Sequence, residues 1–119
     1  MAAGIATLEV YKEQKLFENA DNLASYWEAG LHSLKGLPHV IDIRNVGLMG
    51  AVEVTPVPGL VTKRATDIFD RCFNKGLLVR NTGSIIAFSP PLICDKQQLD
   101  FIINTFADAV VESSKLMKD

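Results

Sequence analysis

With 119 residues, 48% of them hydrophobic, the chain suits one domain with a packed core. Lys and Arg number 12 against 14 Asp and Glu, a formal net charge of −2, which offers no basic field to nucleic acid or to an anionic membrane. No apolar run approaches a membrane span, and the N-terminus shows no basic segment leading into an apolar core, so neither a membrane anchor nor a secretory signal is expected. Cys72 and Cys94 lie far apart, without the paired spacing of a zinc or thiol-exchange site. They read as reduced, packed thiols of a cytoplasmic protein.

The first residues start almost inside a helical pattern, with no good cap before them, as in a domain cut from something larger. Ile5, Leu8 and Tyr11 predict one short amphipathic helix that weakens across Lys12 to Lys15. Leu16, Ala20, Leu23, Trp27, Leu31 and Leu34 then recur every three or four residues, one face of a second helix. Glu18, Asp21 and Asn22 lie off that stripe, and Lys35-Gly36 with Pro38 stops the helix. Val40 to Arg44 alternates as a half-buried strand. Asn45-Val46-Gly47 is expected to turn, and Leu48 to Val54 to return as a second strand. Gly50 within that strand predicts a bulge or a close backbone approach.

Thr55 to Gly59 carries two prolines and reads as a loop. Thr62 is expected to cap a helix from about Lys63 to Lys75. Ala65, Ile68, Phe69 and Cys72 make its inner stripe, Phe73 flanks it, and Gly76 ends it. Strands Leu77 to Arg80 and Ile85 to Ser89 follow, joined by Asn81-Thr82-Gly83-Ser84. Asp95 and Gln98 form a capping box for a last helix with Leu99, Ile102, Ile103, Phe106, Ala109 and Val110 on its core face. The fold class is α+β: a mainly antiparallel four-stranded sheet of two hairpins, covered by helices.

No convergent catalytic set is visible. His32 near a helix end and His39 beside a proline turn have no partner at ligand spacing, and nothing nearby activates Ser84 or Ser89. There is no nucleophile elbow, phosphate-cradling glycine loop or metal-ligand spacing. Two arginines remain. Arg44 alternates with Ile41 and Ile43 and is placed to pair with Asp42 or Glu53, a structural role. Arg80 is either half-solvated surface or an anion hook. Its flanks, Leu77 to Val79 and Ile85 to Phe88, are nearly all apolar, a setting in which a guanidinium grips an anion most strongly.

The run from His32 to Glu53, through Asn45-Val46-Gly47-Leu48-Met49-Gly50, resembles the small C-terminal domain of class III aminotransferases, pyridoxal-phosphate enzymes of fold type I. Gly76-Leu77-Leu78-Val79-Arg80 and Ser89-Pro90-Pro91-Leu92 fit the same pattern in the same order, nearest to the omega-amino acid–pyruvate (beta-alanine–pyruvate) branch. The resemblance spans essentially the whole chain. It implies that Arg80 binds the substrate carboxylate and swings aside for an apolar group, with the Asn81 to Ser84 tip as hinge.

It also implies that pyridoxal 5'-phosphate, its Schiff-base lysine, its aspartate and its phosphate cradle belong to a large domain that these residues lack. Lys12, Lys15, Lys35, Lys63, Lys75, Lys96, Lys115 and Lys118 all fall on polar faces or helix ends, and none matches the family's lysine motif. The chain by itself is therefore expected to be inactive and to bind no cofactor. Surfaces at Ile5, Leu8, Leu92 and Ile93, bared in this way, are expected to promote a homo-oligomer. Two rival readings stay open: a standalone module that binds small carboxylates, and a dimerisation domain without chemistry.

Overall fold

A computed structural model describes residues 1–117 of the chain. In order, the elements are α1 (Ala2–Glu13), α2 (Leu16–His32), β1 (Val40–Val46), β2 (Met49–Val54), α3 (Lys63–Asn74), β3 (Arg80–Thr82), β4 (Ile85–Phe88) and α4 (Lys96–Leu116). The strands form one sheet in the order β1-β2-β4-β3, with every neighbouring pair antiparallel. The expected α+β architecture of two hairpins is therefore present, and the hairpins join through β2 and β4.

Period-two alternation decides which face is covered. Val52 and Val54 of β2 and Ile86 and Phe88 of β4 are buried, while Ala51, Glu53, Ile85 and Ala87 alternate with them on the other face. Helices α2, α3 and α4 cover the first face through the predicted stripes. Trp27 packs edge-on to Phe88 at 5.9 Å, and Phe88 edge-on to Phe106 at 5.1 Å, tying α2, β4 and α4 together. Each such buried side chain stabilises the fold by about 1.5–3 kcal/mol.

Leu34 lies beyond the end of α2 yet is 2% exposed, held inward by turn bonds from Leu34 N to Leu31 O and from Leu37 N to Leu34 O. Gly36 leaves that turn at φ +95°. Asp95 accepts from Gln98 N, and Gln98 Oε1 accepts from Asp95 N, which completes the expected capping box of α4.

Several expectations need correction. The first turn is Gly47-Leu48, not Asn45 to Gly47. Gly47, at φ +56°, takes the first central position of a two-residue hairpin, so Asn45 and Val46 stay in the ladder opposite Gly50 and Met49. The bulge falls in β1 at Ile41; Gly50 marks a close approach instead. Thr62 makes no side-chain cap, because its φ of −85° and ψ of −14° are already helical and a capping residue needs extended backbone. Phe73 is 61% exposed, one residue around the helix from buried Cys72. Leu92 is half-buried against the core, whereas Ile93 is exposed. Helix α1 buries none of its residues, so Ile5 and Leu8 are bare as expected, and left-handed Lys15 turns the chain before α2.

Arg64 of α3, which the sequence does not single out, is buried; its Nε donates to Thr55 O at 2.7 Å and closes the proline loop onto the helix. Beside it, burial alone would raise the Asp67 carboxyl. The Arg71 guanidinium, donating from Nε at 2.8 Å, and the Ser113 hydroxyl together outweigh that and hold it below the usual carboxylate value.

Two measurements check this packing. A Cβ on Gly50 would lie 2.4 Å from Cδ1 of fully buried Leu31. Gly50→Ala should therefore lower the unfolding free energy by about 1–3 kcal/mol in urea titration, with the m-value unchanged. Cys72 and Cys94 are both free and buried, and burial pushes the Cys72 thiol up to about 11. Neither thiol should react with an aromatic disulfide reagent at neutral pH until denaturant unfolds the chain; rapid labelling of the native protein would contradict the packing.

Candidate functional site

Arg80 is delivered to the sheet by the end of α3. Gly76, at φ +88°, lets Gly76 N bond to Phe73 O at 3.0 Å and Leu77 N to Cys72 O at 2.8 Å. This paired closure caps the helix and turns the chain toward β3. Leu77 and Val79 are buried and Leu78 is 74% exposed, so the segment is extended and alternating. It has no ladder partner, however, and Arg80 opens strand β3 where the sequence suggested that it closes one. Asn81, the next residue, points to the helix layer and donates to Thr66 Oγ1 of α3 at 3.2 Å.

The pairing register sets the neighbours of the guanidinium. Arg80 pairs with Ala87, Ala87 with Ala51, and Ala51 with Arg44, so one row on the open face reads arginine, alanine, alanine, arginine. Three strand spacings separate the arginines, about 14 Å. The small residues between them leave the face low and accessible.

The two arginines differ in their partners. Arg44 donates to Asp42 and, at 3.2 Å, to Glu53, as its strand position suggested. Those hydrogen bonds, to Asp42 first and Glu53 second, both donated by Nη1, raise its pKa. Arg80 is exposed and meets no carboxylate among the described residues. It borders an open hollow of about 420 Å³ lined by Phe69, Leu78, Val79, Asn81, Ala87 and Ser89. An uncommitted planar fork over an apolar floor suits one carboxylate.

The hairpin tip is shorter than expected. Asn81 and Thr82 belong to β3, and the turn is only Gly83-Ser84, with Gly83 at φ +60°. Thr82 pairs with Ile85 and Asn81 donates to α3, so the backbone beside Arg80 is held in the sheet.

The Ser89 to Cys94 segment borders the hollow at Ser89. Asn19, unremarkable in the sequence, holds it: its Nδ2 donates to Leu92 O at 2.6 Å and to Cys94 O at 3.2 Å. His32 is one of three polar groups linked outside the hollow, with Nε2 at 3.0 Å from Asn45 Oδ1 while Asn45 donates to Glu28 at 2.9 Å. That network ties α2 to β1 and touches no lining residue of the hollow. His39 stands at φ +65°, and its carbonyl accepts from Thr55 N at 2.8 Å. Ser84 lies in the turn, and of the two serines only Ser89 reaches the hollow.

The residues around Arg80 do not make a pyridoxal-phosphate cradle. No lysine or acidic residue lines the hollow, and all seven lysines among the described residues are exposed at the surface. Lys118 lies outside the described residues.

Comparison with known proteins places this geometry. The family model for "Aminotransferase class-III" matches residues 1–110. An omega-aminotransferase of Caulobacter vibrioides is 50% identical over 104 residues, which cover 87% of this chain but 24% of that protein. A beta-alanine–pyruvate aminotransferase of Pseudomonas aeruginosa is 34% identical over 109 residues, again 24% of its length. The chain thus spans about a quarter of these relatives. Among solved structures, a thermostable omega transaminase from Pseudomonas jessenii superposes with a TM-score of 0.85 at 27% identity, covering 92% of this chain and 26% of that one. An aminotransferase from Vibrio fluvialis, solved in a PMP-bound form, gives 0.81 at 26% identity, covering 88% and 25%. With its sheet, its helix layer and its sequence all matched, the chain belongs to the class III aminotransferase family.

Proposed function

We propose that these residues form the small domain of a pyridoxal-phosphate-dependent aminotransferase, in which Arg80 binds the carboxylate of an omega-amino acid donor and of the acceptor pyruvate. The observation that carries this reading is the contrast on the open face: Arg44 is committed to Asp42 and Glu53, while Arg80 meets no carboxylate among the described residues. The printed activities of the relatives, omega-aminotransferase and beta-alanine–pyruvate aminotransferase, support the substrate class.

The cofactor supplies the electron sink for amino transfer when bound, and the residues that hold it belong to sequence outside these 119. The PMP-bound relative supports that assignment, as does the quarter-length match. Alone, the chain is proposed to be inactive. Its own contribution is positional. Arg80 fixes the acid end of the substrate with two parallel donors, and its withdrawal from an apolar substrate avoids leaving a desolvated charge without a partner. The unburied α1 and exposed Ile93 mark surface to be covered by the rest of the enzyme or by a second subunit. The acidic balance and free thiols support a cytoplasmic protein with no nucleic-acid or membrane partner.

In the complete enzyme, Arg80→Ala should cost about 2–5 kcal/mol in kcat/KM for beta-alanine or pyruvate, and much less for an amine lacking a carboxylate. Arg80→Lys should recover only part of the loss, since an ammonium does not offer the paired donors. Equal losses for both substrate types would overturn the assignment.

A further inference from the structure

Among the three residues of β3, Asn81 alone faces the helix layer. Its ladder partner Ile86 is fully buried, and Val79, two residues earlier, is buried as well. Position 81 therefore belongs to the face that carries Val52, Val54, Ile86 and Phe88 elsewhere in the sheet. An apolar residue would pack there, and asparagine is disfavoured in strands. An amide on this face costs stability unless it is hydrogen-bonded. The bond it makes runs from Nδ2 to Thr66 Oγ1 of α3, at 3.2 Å. A residue that breaks the strand pattern directly beside Arg80 points to a demand other than packing.

We propose that Asn81 and Thr66 are positioning residues that set the reach of the Arg80 guanidinium and so sharpen the preference for carboxylate substrates, a role that rests on the reading of Arg80 as the carboxylate hook. Strand β3 needs such a hold. It lies at an edge of the sheet, has a ladder on one side only, and follows a segment, Leu77 to Val79, without ladder partners. The ladder to β4 fixes β3 within the sheet, and the Asn81 bond fixes it against the helices.

The bond also ties together two walls of the hollow. Thr66 stands one helical turn before Phe69, which lines the hollow from α3, while Arg80 and Asn81 line it from β3. A single hydrogen bond thus sets the spacing between that aromatic wall and the strand that carries the guanidinium. Two parallel N–H donors match a carboxylate only within a narrow range of distance and angle. A drift of about 0.5 Å in β3 is enough to loosen that fit. A substrate without a carboxylate does not use the fork and is spared.

Thr66 is exposed and does not line the hollow, so Thr66→Val removes the acceptor without touching substrate or core. In the complete enzyme this variant should raise KM for beta-alanine about three- to tenfold, the weight of one hydrogen bond, with kcat little changed. An amine lacking a carboxylate should shift by less than about twofold. Thr66→Ser keeps the hydroxyl and should keep the original KM. Asn81→Leu should give the same selective rise, and Asn81→Leu/Thr66→Val should be no worse than either alone, because each removes the same bond. Urea titration checks that every variant is folded. Equal losses for acid and amine, or no change in Thr66→Val, would overturn the proposal. Arg80→Ala, measured alongside, separates the two failures. If it spares the amine while Thr66→Val changes nothing, the hook stands without its positioning pair; if it harms both substrates equally, the hook fails and the pair falls with it.

Discussion

The edge-on contact of Phe88 with both Trp27 and Phe106 is the constraint on which the open face depends. Once Phe88 is locked into the helix layer, strand periodicity leaves no freedom to its neighbour, and Ala87 must face outward. A slip of one residue would bury Ala87 and Ile85 and expose Phe88 and Ile86. Through Ala87 the same constraint reaches β3, because Arg80 is its ladder partner. The position of one charged side chain on the outer face is thus set by aromatic packing on the inner face.

Nothing in that packing calls on the open face. The core closes between sheet and helices with Val52, Val54, Ile86 and Phe88, and the outer row contributes arginines, alanines and a paired carboxylate cluster. A surface freed from supporting the fold can carry chemistry, and its two arginines divide the roles. Arg44 neutralises Asp42 and Glu53 on the neighbouring strand. Arg80, on a strand of three residues between an apolar segment and a glycine turn, has no acidic neighbour in register.

Much of this was legible in the sequence because it depends on periodicity. The stripes of α2 and α4, the alternation of β2, the capping box at Asp95 and the pairing of Arg44 all follow from spacing alone. What spacing does not carry is the use of a residue across the fold. Asn19 sits among polar residues of α2 that look solvated, yet it staples the Leu92 to Cys94 segment. Nothing in the spacing of α3 marks Arg64 as buried; the proline loop that returns over it and offers the Thr55 carbonyl does so only in the fold. The shifted first turn has a local cause: glycine at the first central position fits the hairpin twist, and the Asn45-Val46 pair had seemed as good a stop.

The short β3 fixes the backbone of Arg80 and leaves its side chain exposed over the hollow. Its backbone is fixed on two sides, by the ladder to β4 and by the Asn81 bond to α3, while its side chain lies over a hollow without a carboxylate to hold it. Backbone rigidity keeps the guanidinium within reach of one spot. The four-bond stem supplies the motion at little more than rotamer cost. Had the charge been placed on the hairpin tip, where Gly83 turns the chain, reach would have varied with the loop, and the bidentate geometry that distinguishes a carboxylate would have been harder to hold. A fixed strand beneath an exposed side chain suits the hook proposed for Arg80, which grips an acid and withdraws from an apolar group.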